Sequence, residues 1–313
     1  VGQVIAQEKC LPEPRDMGEV PLGGARDVLV GKDIPVAIFV LCGFFVLNPS
    51  EHTPSQRIGA FDLVLLHGAS VFSESTYLDA TSEHWMILYT ADLKAGMACP
   101  YAVKGGVKVL VTPFFNRFME WVGEPVPEQE LIAALKHEFP VADLQVGRGL
   151  SLNQRIYQKL DPGKLKLNQQ AKRSLNKSTD FVITREQNVP AMMDLLQNEL
   201  QNRIHGINEQ TLPILEKLVV NYADKRLVQF NLSDGENWQG GIWILETDAV
   251  VLYLKGTTRE EAKKSGGMYK LMLHAIEYAG SNGKTFDFGG SNVESVRRFN
   301  LNFGAEDVVY SQV

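Results

Sequence analysis

Cysteine is scarce in this chain of 313 residues, and its few cysteines form no motif. Cys10, Cys42 and Cys99 are odd in number and widely spaced, and no Cys-x-x-Cys pair occurs. This spacing argues against a disulfide framework and against a structural zinc site. We therefore expect a reducing compartment, most simply the cytoplasm, and no bound metal.

Long apolar runs and net positive charge are also lacking. An uncharged apolar run over residues 34 to 47 has 14 residues, whereas a membrane span needs roughly 18 or more. The run predicts a buried strand or strand pair and no membrane span, and it starts too far from the N-terminus to be a signal peptide. The formal net charge is −6, so any polyanion must be held by a local patch.

The remaining composition is that of a soluble globular protein, with 44% hydrophobic and 22% charged residues. Its length allows two domains. Residues 1 to 60 are interrupted by proline and glycine and predict a poorly assigned N-terminal extension. We place a first domain at residues 61 to 154 and a second at residues 155 to 313.

The first domain reads as a small α/β unit. Its pattern predicts a helix from residue 61 to about 73, strands at 85–90 and 108–112, and a hairpin turn at Gly105 and Gly106. A further helix is predicted from Pro127 to about residue 136, with acidic residues in its first turn.

The second domain has clearer signals. Helices are predicted from Pro190 and over residues 212–222, followed by strands at 227–232, 238–246 and 250–254. The short connections between these strands predict antiparallel pairing.

A glycine-opened helix follows these strands. Lys263, Lys264, Ser265, Gly266 and Gly267 precede its first apolar residues. Glycines at a helix start let backbone N–H groups face a phosphate, and the two lysines add positive charge. The segment therefore predicts a pyrophosphate site, although it matches neither a P-loop nor a Gly-x-Gly-x-x-Gly motif.

A strand, a glycine turn and a helix close the chain. Gly289 and Gly290 follow a strand at 285–288, and Ser291 or Asn292 can cap the helix that carries Phe299. A helix that starts at a strand end is a natural anion site. A capped turn with no ligand is an equally good interpretation.

A local reversal of charge marks residues 155 to 177. This stretch has one acidic residue and seven basic ones: Arg155, Lys159, Lys164, Lys166, Lys172, Arg173 and Lys177. A solvated helical face explains most runs of this kind. The functional alternative is a phosphate-bearing ligand held by Lys172 and Arg173.

The order of elements and three motifs resemble the FemAB-like branch of the GNAT-type acyltransferases. The motifs are Asp287-Phe-Gly-Gly-Ser291, the ending Phe299-Asn-Leu-Asn-Phe-Gly-Ala305, and the basic helix from Asn168 to Lys177. Ser265-Gly-Gly-Met-Tyr resembles the glycine-opened helix of that family, with Met268 where the donor-binding motif has Gly or Ala. The likeness covers about residues 155 to 313 and continues more weakly from Tyr77.

The resemblance implies an α/β fold with a mixed sheet, built as two tandem GNAT-like domains of which the first is degenerate. It also implies transfer of an acyl or aminoacyl group to an amine. The donor would be acyl-CoA, such as acetyl-CoA, or aminoacyl-tRNA, so tRNA is a possible partner. The acceptor would be a small-molecule amine, for example a cell-wall or surface-polymer precursor. The oligomeric state is left open.

Catalytic candidates are few because the sequence has no recognisable nucleophile triad. Asp287 can accept an amine proton or orient the acceptor, or it can simply cap amides of its own turn. Tyr269 and Tyr253 are candidate proton donors, with core packing as the alternative. His205 and His274 fit structural roles better.

We predict that Lys263 to Gly267 bind the donor and that Lys172, Arg173, Gly289, Gly290 and Ser291 bind substrate. Two further hypotheses remain: a catalytically inactive GNAT-fold binding protein, and an assembly protein whose ligand is never acylated.

Overall fold

The computed structural model describes most of the chain from residue 70 onwards, within one compact unit. The described residues are 44–47, 70–90, 92, 94–146, 153–200, 208–290 and 292–312. Within them, no helix combines the length and the apolar character needed to cross a membrane. Of the apolar run at 34–47, only the last four residues are described, and they form a strand as predicted.

The first sheet belongs to the first half of the chain. Its strands are β1 (Phe44–Leu47), β2 (His84–Thr90), β3 (Ala95–Lys104), β4 (Val107–Val111), β5 (Trp121–Gly123) and β6 (Val141–Asp143). They are ordered β1-β2-β3-β4-β6, and β5 pairs with β3. Helices α1 (Ser75–Thr81) and α2 (Glu128–Glu138) belong to the same half. All pairs are antiparallel except β4 with β6, which are parallel and joined through α2.

The second sheet has eight strands and one parallel pair. Its strands are β7 (Gln145–Val146), β8 (Asn153–Leu160), β9 (Phe181–Arg185), β10 (Leu227–Asp234), β11 (Asn237–Glu246), β12 (Val250–Thr258), β13 (Thr285–Gly290) and β14 (Glu306–Gln312). The order is β7-β14-β8-β13-β12-β11-β10-β9, and only β12 with β13 is parallel.

Six helices accompany the second sheet. They are α3 (Gln169–Asn176), α4 (Val189–Leu200), α5 (Leu212–Tyr222), α6 (Glu260–Lys264), α7 (Gly267–Ser281) and α8 (Glu294–Leu301). The buried face of α7 packs on one side of the sheet with Phe286 and Phe288. Helices α1, α4 and α5 pack on the other side, around Trp243. We call this second side the α4–α5 face.

The two halves repeat one order of elements. Helix α1 is followed by β2, β3 and β4, then, after the short strand β5, by α2 and the parallel strand β6. Helix α5 is likewise followed by β10, β11 and β12, then, after the short helix α6, by α7 and the parallel strand β13. A parallel pair needs such a crossover, and here both crossovers contain a helix. This repetition agrees with the predicted tandem arrangement.

Most predicted elements of the second half are confirmed, and α5 has the predicted bounds. Two local predictions are wrong. Residues 71–73 form a short 3-10 turn, with the regular helix starting only at Ser75, while residues 61–69 lie outside the described part. Asn292 does not cap α8, because Val293 is the N-cap residue and makes no side-chain cap bond.

Candidate functional site

The parallel ladder between β12 and β13 is short. It contains three residue pairs, the last being Leu252 with Asp287. Residues 253–258 of β12 continue beside β11 but are not paired with β13. Residues 288–290 of β13 are likewise not paired with β12. Beyond Leu252 and Asp287, the backbone N–H and C=O groups of β12 and β13 are therefore not paired between these two strands. We call this region the open end of the pair. Such groups need another partner, and a ligand can supply one.

A β-bulge in β12 lies at this open end. Trp243 of β11 is paired with Lys255 and the next residue, Ile244, is paired with Tyr253, so Leu254 is the extra residue. Paired residues of an antiparallel ladder point to the same face. Because Trp243 is in the core of the α4–α5 face, Lys255 lies on that face as well.

Asp287 is the last β13 residue of the ladder, and both of its carboxylate oxygens are engaged. Oδ2 accepts from Nη1 of Arg117 and Oδ1 from Nη2, each at 2.7 Å. Oδ1 also accepts from the backbone N–H of Gly289 at 2.9 Å. The carboxylate therefore caps its own turn, as one of the two sequence interpretations held. These three hydrogen bonds occupy three of the roughly four lone-pair sites of the carboxylate.

Arg117 is contributed by the first half of the chain and was not predicted. Its guanidinium carbon lies 4.0 Å from the ring centroid of Tyr157 and 5.1 Å from that of Phe72. Such contacts suit a planar guanidinium, which stacks on aromatic faces while it forms a bidentate pair. The sequence around Arg117 has no motif, so only the fold reveals this partner of Asp287.

The glycine turn after Asp287 has a conformation that glycine favours. Gly289 has φ of +78°, and a Cβ there would lie 3.1 Å from the carbonyl oxygen of Tyr253. Gly290 is exposed, with free space where its side chain would be. Ser291, the third predicted substrate contact here, lies outside the described residues. Asn292 instead accepts from the N–H of Ile156 and donates to the hydroxyl of Tyr310.

The glycines at the start of α7 serve packing between helices. Gly266 has φ of +80°, and a Cβ there would lie 2.1 Å from the carbonyl oxygen of Ser174 on α3. Gly266 and Gly267 are both buried. Close packing of α3 thus explains Gly266 without a ligand, and a diphosphate at this turn would have to approach from the side of Lys264.

The predicted basic groups lie on both sides of this helix contact. Lys172 and Arg173 are exposed on α3, directly before Ser174. Lys264 is exposed at the end of α6, whereas Lys263 and Ser265 are half-buried. The contact between Ser174 and Gly266 therefore brings the two basic segments together. Of the other basic residues in this stretch, Lys177 is the C-cap residue of α3, whereas Arg155 and Lys159 are on β8 and Lys164 pairs with Glu306.

Tyr269 belongs to a polar and aromatic cluster between α7 and α8. Its hydroxyl accepts from Nδ2 of Asn302 at 2.9 Å, and its ring packs edge-on against Phe299, with 4.8 Å between centroids. Oδ1 of Asn302 accepts in turn from Nδ2 of Asn168, the N-cap residue of α3. The structure thus places Tyr269 in contacts that join three helices and does not bring it to Asp287.

Burial shifts the pKa values of two other candidate side chains, those of Tyr253 and His274. Burial raises the pKa of Tyr253, whose hydroxyl donates to the carbonyl of Gly256 at 3.4 Å. Burial lowers the pKa of His274, which packs edge-on against Phe230. His205 lies outside the described residues. No group of three potential metal ligands occurs in the described part of the chain.

Comparison with known proteins finds a family model that is similar to part of the second half. Residues 166–296, which contain α7 and the open end of β12 and β13, match the model of an acetyltransferase (GNAT) domain. No curated protein matched the sequence.

Solved structures share the fold over most of the chain. FemX is 9% identical, with a TM-score of 0.57 over 83% of this chain and 96% of its own. L-PGS from Bacillus licheniformis is 12% identical, with a TM-score of 0.52 over 83% of this chain and 91% of its own. The C-terminal domain of an Agrobacterium fabrum protein named as a putative lysylphosphatidylglycerol synthetase is 12% identical, with a TM-score of 0.52 over 82% of this chain and 92% of its own. The predicted GNAT fold is confirmed.

Proposed function

We propose that this chain moves an acyl or aminoacyl group from a carrier to the nitrogen of an amine acceptor. The observation that supports this most directly is the open end of β12 and β13 inside the GNAT domain. Unpaired N–H groups of β12 can donate to the donor carbonyl and stabilise negative charge on its oxygen during attack. Residues 155–313 would form the catalytic domain, and the degenerate copy at 61–154 would contribute Arg117.

The reaction needs few protein groups. The neutral amine attacks the carbonyl carbon, a C–N bond forms, and the C–S bond of a thioester or the C–O bond of an aminoacyl ester breaks. The amine loses one proton, and the leaving thiolate or alkoxide gains one. Holding both reactants at the open end can supply much of the rate by proximity. We assign Asp287, with Arg117, to fixing the shape of the turn on the acceptor side.

The donor is the finer part of the proposal. We propose that Lys263, Lys264 and the start of α7 bind its phosphates, with Lys172 and Arg173 beside them. Acyl-CoA and aminoacyl-tRNA both carry phosphates. The buried state of Gly266 and Gly267 favours a surface-bound phosphodiester backbone over a deeply inserted diphosphate. One structural neighbour, named as a lysylphosphatidylglycerol synthetase, is named for an aminoacyl product. We therefore place aminoacyl-tRNA first and acetyl-CoA second, both drawn from the cytoplasm.

Turnover with defined donors tests the proposal. Purified protein would be incubated with acetyl-CoA or with a mixed pool of charged tRNA, together with a panel of amines that includes cell-wall precursors. Release of free thiol or of deacylated tRNA that depends on the acceptor would support the proposal. Donor affinity that falls steeply between low and moderate salt would favour tRNA, because each neutralised phosphate adds to the salt slope.

A variant pair tests the donor surface. Lys263→Ala/Lys264→Ala should weaken donor binding in calorimetry. Lys264→Ala alone, at an exposed position, should also weaken it without changing the thermal midpoint by more than about 2 °C, since exposed charges add little to stability. Lys104→Ala, at the exposed tip of the β3–β4 turn, is the matched control. Unchanged donor affinity in the double variant would reject this surface.

A catalytically inactive binding protein remains the second candidate. The contacts of Asp287 favour it, because three donors hold this carboxylate in a structural role at the turn. Donor binding without any acceptor-dependent release would support this second candidate over the first.

A further inference from the structure

Lys255 is a cation placed beside the open end and away from other charges. The bulge in β12 puts it on the α4–α5 face, after the last paired residue of the β12–β13 ladder. Its side chain is half-buried. Within the described residues, its ammonium makes no hydrogen bond and no ion pair.

Burying the unpaired ammonium of Lys255 lowers the stability of the folded state. Burial alone lowers the pKa of Lys255 to about 8, and no neighbouring charge contributes. The side chain is therefore still protonated at neutral pH, without a counter-ion. Removing a charge from water costs free energy unless it is paired. A positive charge held in this way at a ligand-binding edge can be compensated by a charged group of the ligand.

Carboxylates packed on the same face are already engaged. Asp287 is neutralised by Arg117, and Glu74 accepts from Arg226 and from the hydroxyl of Tyr222. A further carboxylate of this region, that of Glu120, accepts from the backbone N–H of Ser70. None of these three carboxylates pairs with the ammonium of Lys255. A monoanion would neutralise this one ammonium, whereas a phosphate dianion would bring an excess negative charge into a partly dry site.

Two further buried donors are available on this face. Among the residues that the structure describes, Nε of Arg117 and Oγ of Ser73 find no hydrogen-bond partner, and both residues are more than nine-tenths buried. Phe72, which precedes Ser73, contacts the guanidinium of Arg117, so the two donors lie in one neighbourhood. Buried donors of this kind are normally satisfied. An anionic or carbonyl oxygen entering from the open end would be a suitable acceptor.

We propose that Lys255 binds a carboxylate group of the acceptor, which enters between the open end and the α4–α5 face. This inference rests on the proposed function and adds the acceptor's chemical class: an amine that also bears a carboxylate. Lys255 is then a binding residue that positions the amine by holding the charge next to it.

An NMR titration tests the site without any turnover. The lysines of the full-length chain would be reductively methylated with ¹³C, which keeps their charge, and the Lys255 signal would be assigned from its loss in Lys255→Arg. Acetate would replace chloride at constant ionic strength. We expect a saturable shift of the Lys255 signal and none at exposed Lys104. A Lys255 signal that behaves like Lys104, or that responds to inorganic phosphate and not to acetate, would overturn the proposal.

Acceptor preference gives the second measurement. Each carboxylate-bearing amine would be paired with its carboxamide analogue. Lys255→Met should lower kcat/KM for the carboxylate form by at least about tenfold, the scale expected when one partner of a desolvated charge pair is removed. The amide form should change little, and Lys255→Arg should keep the preference. Equal losses for both forms would count against a carboxylate contact. Absence of turnover with every donor would reject the proposed function, while the titration would still decide the role of Lys255.

Discussion

The guanidinium of Arg117 and the carboxylate of Asp287 form a buried bidentate pair between residues 170 positions apart in sequence, with both N–O distances at 2.7 Å. Arg117 follows β4 in the first half of the chain, and Asp287 ends the short parallel ladder of the GNAT domain. The first half therefore helps to hold the turn that carries Gly289 and Gly290. The first half thus contributes a buried contact to the candidate site.

Removing one partner of this pair should be strongly destabilising. Arg117→Met or Asp287→Leu alone leaves a buried charge without compensation, and we expect a loss of about 3–5 kcal/mol in the free energy of unfolding. The double variant Arg117→Met/Asp287→Leu should lose much less than the sum, because the two apolar side chains leave no charge behind. Urea unfolding of all four proteins measures both quantities. Additive losses would show that the pair is not coupled.

A second prediction concerns the glycine between α3 and α7. Gly266→Ala adds a Cβ in a left-handed conformation, 2.1 Å from the carbonyl oxygen of Ser174. Overpacking and backbone strain together should cost about 2–5 kcal/mol. Gly283→Ala is the matched control, because Gly283 has φ of +67° with free space around it. Gly283→Ala should lower the free energy of unfolding by only about 1–2 kcal/mol. Equal losses in urea unfolding would contradict the packing argument.

The sequence predicted local features of the second half well, because periodicity, short turns and caps are local. The α5 bounds and the three antiparallel strands follow from apolar spacing and turn residues within about ten positions. The sequence also predicted a structural requirement for glycine at position 266, but it attributed this requirement to a bound phosphate and not to the close approach of α3. A left-handed glycine looks the same in sequence whether a phosphate or a carbonyl such as that of Ser174 approaches it.

Local sequence patterns did not predict contacts between residues that are far apart in the chain. Arg117 is one arginine in a segment without a motif, and only the packing of the two halves brings it to Asp287. Lys255 is a single lysine in a strand, and its isolation depends on a bulge that pairs it with Trp243. Asn292 was expected to cap a helix, yet Ile156 and Tyr310 use its side chain instead. Each of these depends on tertiary contacts that local patterns do not encode.

A third prediction follows from the charge state of Lys255. Burial lowers its pKa from 10.5 to about 8. Below pH 8 both the folded and the unfolded chain hold this proton, so the full penalty of burying the charge applies. Between pH 8 and 10.5 the unfolded chain binds more protons, and the stability of the folded state rises with pH through this group.

Lys255→Met should therefore change the pH dependence of stability. The variant should gain about 1–3 kcal/mol over the parent protein at pH 7, and this gain should shrink as the pH approaches 10.5. Urea unfolding at pH 7 and pH 10 gives the two differences, and Lys104→Met serves as the exposed control. A gain that is the same at both pH values would show that the lysine is not desolvated.

The last prediction separates the structural and catalytic roles of Tyr269. Its hydroxyl accepts from Asn302, and its ring packs against Phe299 and Phe303. Tyr269→Phe keeps the ring contacts and removes one hydrogen bond, so stability should fall by about 1 kcal/mol. Tyr269→Ala removes the ring as well and should lose about 3–5 kcal/mol. If Tyr269 only packs, Tyr269→Phe should retain kcat within about threefold in the acceptor-dependent assay. A loss of about 10²-fold or more with an intact fold, the scale of general acid catalysis, would instead make Tyr269 the proton donor.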